Sequence, residues 1–414
     1  MTRSHPEINT GNCSNQVFCL LPWVSMHIAV DGSVLPCNIA GRSPGFHSVK
    51  THSLAAARNS SGLRRLRRAM LEGRPSSVCD KCYEQEENGF FSQRECANED
   101  FAHHERFIDL TAADGSLSDI PIAYLDIRFS NVCNLVCRTC EPKFSTAWYR
   151  YASADERPTG AMNARDDAAS LLREIEPILD DVEQIYFAGG EPTLMPEHYQ
   201  LLEILLARGR EDVRLTYSTN FSTLRYKHWD LLALWRQFRH VNVGASLDAD
   251  GRRGDYLRKG QHWTDVIENR RRQLVECPHV TFNITTTFSN MNCLHSPDLH
   301  ESWVEKGLIG AGEVHIIILQ TPAYFRLTTL PNPLKEQVRE RYLAHIDYLG
   351  AHPGCETAMR GYRAAITYMS SEDSRDLLAT FRRVVSEQDR LRNESFADAF
   401  PELSSLLNAE MDFA

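Results

Sequence analysis

The chain has 414 residues, 42 % hydrophobic and 24 % charged, with 45 Lys and Arg against 55 Asp and Glu for a net charge of −10. At roughly 150 residues per domain this length predicts two or three domains, and the composition excludes disorder over most of the chain. The acidic balance is a poor match to a duplex-DNA or anionic-membrane binder. The opening residues MTRSHPEINTGN lack the apolar core of a secretory signal, and FCLLPWVSMHIAV is too short and interrupted to span a bilayer. A cytoplasmic protein is therefore expected. Twelve cysteines are notable in that setting, because a reduced compartment does not favour disulfides; clustered thiols there point to metal ligation.

In chain order, the first part holds a hairpin-like stretch, PWVSMHIAVDGSVLPC, with Asp31-Gly32 as its turn signal. A basic helix, SLAAARNSSGLRRLRRAMLEG, and a C-x-x-C pair at Cys79 and Cys82 follow. Arg64, Arg65, Arg67 and Arg68 are expected on a solvated helix face, with a phosphate or an acidic leader peptide as the binding alternative. His103-His104 is expected at the surface. Six strands then alternate with amphipathic helical stretches: 122–129, 184–189, 213–219, 241–247, 280–288 and 314–319. Each strand reads as largely apolar, the pattern of a parallel strand covered by helices on both faces. Repeated β-then-α units predict right-handed crossovers, and six are too few for a closed eight-fold barrel. After Pro331-Asn332-Pro333 the pattern is helical. The expected fold is α/β: a partial (β/α)6 TIM-like barrel over 119–330, a small α+β cluster-binding domain over 1–118, and a helical extension over 331–414.

Chemistry concentrates in SNVCNLVCRTC, residues 130–140, directly after the first barrel strand. Cys133, Cys137 and Cys140 can wrap one inorganic cluster, since thiolates suit iron–sulfur clusters or zinc. A 4Fe–4S cube has four irons, so three thiolates leave one free for an exchangeable ligand. Loops at the carboxyl ends of barrel strands are where such folds place their chemistry.

This C-x-x-x-C-x-x-C motif resembles the signature of radical S-adenosylmethionine (SAM) enzymes. The resemblance implies that Cys133, Cys137 and Cys140 hold a SAM-binding 4Fe–4S cluster. It also implies that Gly189-Gly190-Glu191, followed by Pro192, receives the amino group of SAM, and that Ser246 and Arg258 hold its ribose and carboxylate. One position departs from the pattern: Thr139 stands where many members carry an aromatic residue that touches adenine. Ser218, Asn220 and Thr287 sit at strand ends and are expected to line the pocket.

A second pattern, Cys19-x12-Gly32-x4-Cys37 followed by Cys79-x2-Cys82, resembles the twitch module, a shortened SPASM domain. It implies an auxiliary 4Fe–4S cluster on Cys19, Cys37, Cys79 and Cys82, here ahead of the barrel rather than after it. A four-cysteine zinc site is the competing reading. Cys13 and Cys96 are alternative ligands, while Cys277, Cys293 and Cys355 are expected to be buried apolar fillers. The implied activity is reductive cleavage of SAM, hydrogen abstraction by a 5′-deoxyadenosyl radical, and a two-electron oxidation such as dehydrogenation or a peptide crosslink. Redox-neutral epimerisation, with Cys293 or Cys96 as hydrogen donor, is the rival; a non-catalytic zinc-stabilised binding protein is the alternative from another class. Expected partners are a small polar metabolite or peptide and a reductant such as flavodoxin or ferredoxin, with neither nucleic acid nor membrane.

Overall fold

The computed structural model describes residues 17–408 except 119, 154 and 156, so Cys13 lies outside the described residues. Eight strands form the main sheet: β1 (Ser25–Ile28), β2 (Val34–Leu35), β3 (Tyr124–Ile127), β4 (Gln184–Phe187), β5 (Arg214–Thr219), β6 (Val241–Ser246), β7 (Thr281–Phe288) and β8 (Val314–Ile318). Their order is β8-β7-β6-β5-β4-β3-β1-β2. From β3 to β8 every neighbour is parallel and consecutive, as repeated β-then-α units require. β8 and β2 stand at opposite ends of the order, so the barrel is open and partial.

The strands are not covered on both faces, which corrects the expectation from their apolar content. β4, β5, β6 and β7 alternate between buried and half-buried positions. Ile185, Phe187, Leu215, Tyr217, Val243 and Ile284 face the buried side. Tyr186, Ser218, Ser246, Asn283 and Thr285 face the other, a polar surface inside the curve of the sheet. β-Branched threonines in TFNITTTF made both faces look apolar, although their hydroxyls give the inner one a polar character.

The amino-terminal segment is built into this sheet. β1 pairs in parallel with β3, Ser25 opposite Tyr124 and Ile28 opposite Ile127, and β2 returns antiparallel after the Asp31-Gly32 turn. Helix α1 (Ser61–Leu71) buries Leu63, Leu66 and Met70, its first turn capped by the Ser60 side chain. Its arginines divide, against the expectation of one solvated face. Arg67 is fully buried and donates to the carbonyls of Pro22, Gly115 and Arg58 at 2.8, 3.0 and 2.8 Å. It is a bolt between three chain segments, a role that five guanidinium N–H donors suit and a periodicity argument overlooks. Arg64, Arg65 and Arg68 stay near solvent, Arg64 paired with Asp114 at 2.6 Å. Helix α2 (Asp80–Glu87) carries Cys82.

Barrel helices α3 (Pro196–Ala207) and α4 (Trp263–Glu276) pack outside the sheet, α3 opening with Pro at its first position, where the missing N–H costs nothing. Beyond β8 come α5 (Asn332–Gly350), α6 (Glu356–Met369) and α7 (Leu378–Arg392). α6 lies against β8, where a Cβ on Gly361 would come within 2.9 Å of Ile316. α7 ends in left-handed Asn393 (φ 54°), which turns the chain back towards the loop after β3.

Candidate active site

The loop after β3 is held open by its own polar side chains. Buried Asn131 donates to the carbonyls of Pro142 and Lys143, both at 3.2 Å, and to the Tyr149 hydroxyl at 2.9 Å, while its carbonyl accepts from Met162 N–H at 2.9 Å. Ser145 donates to Leu135 O at 2.7 Å. Val136–Cys137 forms a short ribbon with Arg258–Lys259, placing Arg258 opposite Cys137. Around these elements is a cavity of about 340 Å³, lined by Cys133, Cys137 and Cys140 and by the inner ends of the strands.

All three cysteines face that cavity with little exposure. Burial pushes the Cys133 thiol up to about 12, and it raises Cys137 and Cys140 as well; neighbouring sulfurs add to the rise at Cys133 and Cys140. Such thiols become thiolates only when a cation arrives to balance them. Among the described residues no three of these sulfurs lie within 4.8 Å of one another, nor do any three of the amino-terminal four. A tetrahedral zinc at Zn–S ≈ 2.3 Å holds its sulfurs about 3.8 Å apart. The wider spread and the cavity fit a cluster better than a single ion.

Gly189, Gly190 and Glu191 follow β4 into the same cavity. The tight approach here is to the cysteine loop itself. A Cβ on Gly190 would lie 2.1 Å from Val132 O, and Gly189 has φ +125°. Gly190 N–H donates to Ser130 O at 3.1 Å and Glu191 N–H to Val132 O at 2.7 Å, extending the pairing of β3 and β4. The Glu191 carboxylate is buried. Its Oε1 accepts from Thr193 N–H, Thr193 Oγ1 and Thr219 Oγ1, and its Oε2 from Asn220 N–H at 2.7 Å. Burial raises its pKa and these donors oppose the rise. With one donor on Oε2, that oxygen keeps acceptor capacity.

Ser246 and Arg258 also line the cavity, but Arg258 already has a carboxylate partner: its Nε donates to Asp248 Oδ2 at 2.8 Å, and Nη1 lies 3.8 Å from Cys137 Sγ. Asp248 and Asp126 thus hold cations at the cavity wall. Arg128 sits there too, 3.5 Å from Asp126, which pairs with buried His27 of β1 at 3.0 Å. Ser218 and Asn220 join the lining; Thr287 instead donates its N–H to Asp248 Oδ1 at 2.9 Å. Thr139 lines the cavity beside Phe144, a ring 45 % exposed. Asp248, Arg128, Tyr186 and Phe144 were not singled out from sequence. Asp248 had a signal, the ASLD that ends β6; Phe144 had none beyond following Cys140.

The second thiol set closes on itself. Cys19 precedes the turn Leu21–Val24, Cys37 follows β2, Cys79 ends the turn Ser77–Cys79, and Cys82 lies in α2. They surround a space of about 20 Å³, walled by Pro22, Pro36, Ile39, Met70 and Val78. Burial pushes Cys79 up to about 12 and raises the other three. Arg94, paired with Glu86, borders the space. Cys96 is exposed, and neither it nor buried Cys293 lines the open cavity; Cys277 and Cys355 are buried as expected. Of the histidine pair, His103 is exposed but His104 is buried, and both Nε2 atoms reach the Glu183 carboxylate, at 2.9 and 2.7 Å, just before the start of β4 and so away from the cavity.

Residues 127–286 match the family model of the radical SAM superfamily, and residues 19–83 match that of SPASM, an iron–sulfur cluster-binding domain. Such domains imply SAM, a 4Fe–4S cluster and an auxiliary cluster. Among solved structures, one of "native anSMEcpe with bound AdoMet and Cp18Cys peptide" is similar at 18 % identity and TM-score 0.41, over 56 % of this chain and 62 % of that one. SuiB of Streptococcus suis bound to S-adenosylmethionine is similar at 13 % identity and TM-score 0.38, over 78 % of this chain and 67 % of that one. The chain therefore spans about three fifths of the first of these. No curated protein sequence matches.

Proposed function

From a chain that carries a radical SAM domain at 127–286 and a SPASM cluster-binding domain at 19–83, we propose an enzyme that cleaves SAM reductively and oxidises a polar substrate by two electrons. When bound, the open-sided cluster and SAM supply a 5′-deoxyadenosyl radical, and the second cluster supplies an acceptor for the electron left on the substrate. Cys133, Cys137 and Cys140 hold the first cluster, and Cys19, Cys37, Cys79 and Cys82 the second.

Around them, the chain's own groups bind and orient. Glu191 Oε2 takes the ammonium of SAM, its other oxygen being committed to the loop. Arg258, steadied by Asp248, offers its outer guanidinium nitrogens to the carboxylate, as a planar fork suits. Ser246 meets the ribose. Phe144 supplies the aromatic face that Thr139 does not. Tyr186, Ser218 and Arg128 present hydroxyls and a cation to the substrate, which favours a polar metabolite or a short peptide.

The single observation that carries the oxidative reading is the contrast in space: a cavity of about 340 Å³ beside three thiols, and about 20 Å³ among four. A fully ligated second centre suits electron transfer. Epimerisation would need a thiol hydrogen donor facing the cavity, and neither Cys96 nor Cys293 does. Anaerobic reconstitution tests the proposal. The expected result is about eight irons per chain and dithionite-dependent release of deoxyadenosine from SAM; colourless zinc-containing protein without SAM cleavage would overturn it.

A further inference from the structure

The helical region after β8 reaches the cysteine loop through a set of five charges, of which Arg138 and Arg392 are buried and Lys259, Asp389 and Glu394 half-buried. Arg138, between Cys137 and Cys140, places Nη2 2.5 Å from Asp389 and 2.8 Å from Glu394. Lys259, in the ribbon strand paired with Cys137's, places Nζ 3.0 Å from Glu394 and donates to Arg392 O at 2.6 Å. Arg392, in the last turn of α7, approaches Glu394 only to 4.0 Å. Three cations thus share two carboxylates, leaving an excess of one positive charge. The neighbouring Arg258 and Asp248 neutralise each other.

Arg392 carries that excess. Its side chain has no exposure, and none of its three guanidinium nitrogens has a hydrogen-bond partner among the described residues. It lies 4.5 Å from the ring centroid of Trp148, whose indole donates to Cys137 O at 3.1 Å and packs against Val136 and Cys140. A buried cation without hydrogen bonds is costly unless an anion faces it. Through Trp148, Arg392 adjoins the segment of Cys137 and Cys140, whose negative charge grows when a cluster on these thiolates accepts an electron.

Resting on the cluster reading above, we propose that Arg392 is the buried counter-charge of the cluster held by Cys133, Cys137 and Cys140, a positioning residue that raises its reduction potential. A fixed positive charge in a medium of low dielectric stabilises the reduced state more than the oxidised one. Electron entry from the reductant is thereby governed from the carboxyl-terminal region, some 250 residues from the thiols.

The test is a redox titration of the reconstituted full-length protein followed by electron paramagnetic resonance. The cluster concerned is picked out by the change in its signal on adding SAM, with iron content and circular dichroism checked for each variant. Arg392→Met is expected to move its midpoint to a more negative potential, and Arg392→Lys to leave it close to the original. Glu394→Gln, which removes a negative charge, is expected to move it the opposite way. The auxiliary cluster should not move in any of them. If Arg392→Met fails to hold iron, the lysine and Glu394→Gln variants still decide. Shifts of the same sign for Arg392→Met and Glu394→Gln, no shift in either, or an equal shift of both clusters would refute the proposal. Absence of any SAM-sensitive signal from the unaltered protein would instead refute the cluster reading beneath it.

Discussion

The two cysteine sites share their chemistry and differ in what surrounds it. In both, the thiols are buried or half-buried and their pKa values raised, with burial as the largest cause. Around the barrel loop, polar strand ends and glycine-tight backbone leave room for a ligand beside the sulfurs. In the amino-terminal segment, prolines, Met70 and Val78 fill that room. The number of thiols decides whether a cluster has a free corner, and the neighbouring side chains decide whether anything can reach it.

That comparison breaks most sharply at the thiols. Cys137→Ala should abolish SAM cleavage, by about a thousandfold or more, with iron falling from about eight to about four per chain. Cys79→Ala should also lose iron yet keep releasing deoxyadenosine, while oxidised product disappears. Equal loss of SAM cleavage in both variants would mean that the sites are not separate in role. Next in size, Gly190→Ala forces a Cβ to within 2.1 Å of Val132 O and should cost about 2–3 kcal/mol, measured by thermal unfolding, together with weaker SAM binding. Phe144→Ala should raise the KM for SAM about tenfold with little change in kcat, in line with the ~1–3 kcal/mol of a base stacked on an aromatic ring.

The last prediction concerns the scaffold that both sites share. Burial holds His198 down to about 3, and His300 and His345 down to about 4. Below their ordinary value of about 6.5 the unfolded chain binds protons that the folded chain refuses. Stability should therefore fall as pH drops from about 6.5 towards 4, at most about 1.4 kcal/mol per unit for each histidine. His198→Gln, which keeps a partner for the Tyr217 hydroxyl, should flatten part of that slope in the melting temperature.

Local spacing made the essential site legible. Cys133, Cys137, Cys140 and Gly189-Gly190-Glu191 lie within two short stretches, and their positions after strands follow from strand patterns alone. The open six-stranded barrel was legible for the same reason. Contacts between distant stretches were not. Arg138 meets Asp389 across 251 positions and Arg67 meets Pro22 across 45, so neither partnership leaves a periodic trace. The inner face of the sheet was misread because threonine fits a strand as valine does while offering a hydroxyl to the cavity. Gly190's nearest obligation is to the backbone of the cysteine loop, a contact between two stretches that neither motif shows by itself.

β1 makes the amino-terminal site inseparable from the sheet. It occupies the hydrogen-bonding edge of β3, with its four residues in register with Tyr124–Ile127. Shortened to begin at β3, the protein would lose more than a cofactor site: it would present a bare run of main-chain donors and acceptors to other molecules, the geometry that seeds aggregation. Solubility and the second redox centre thus depend on the same four residues.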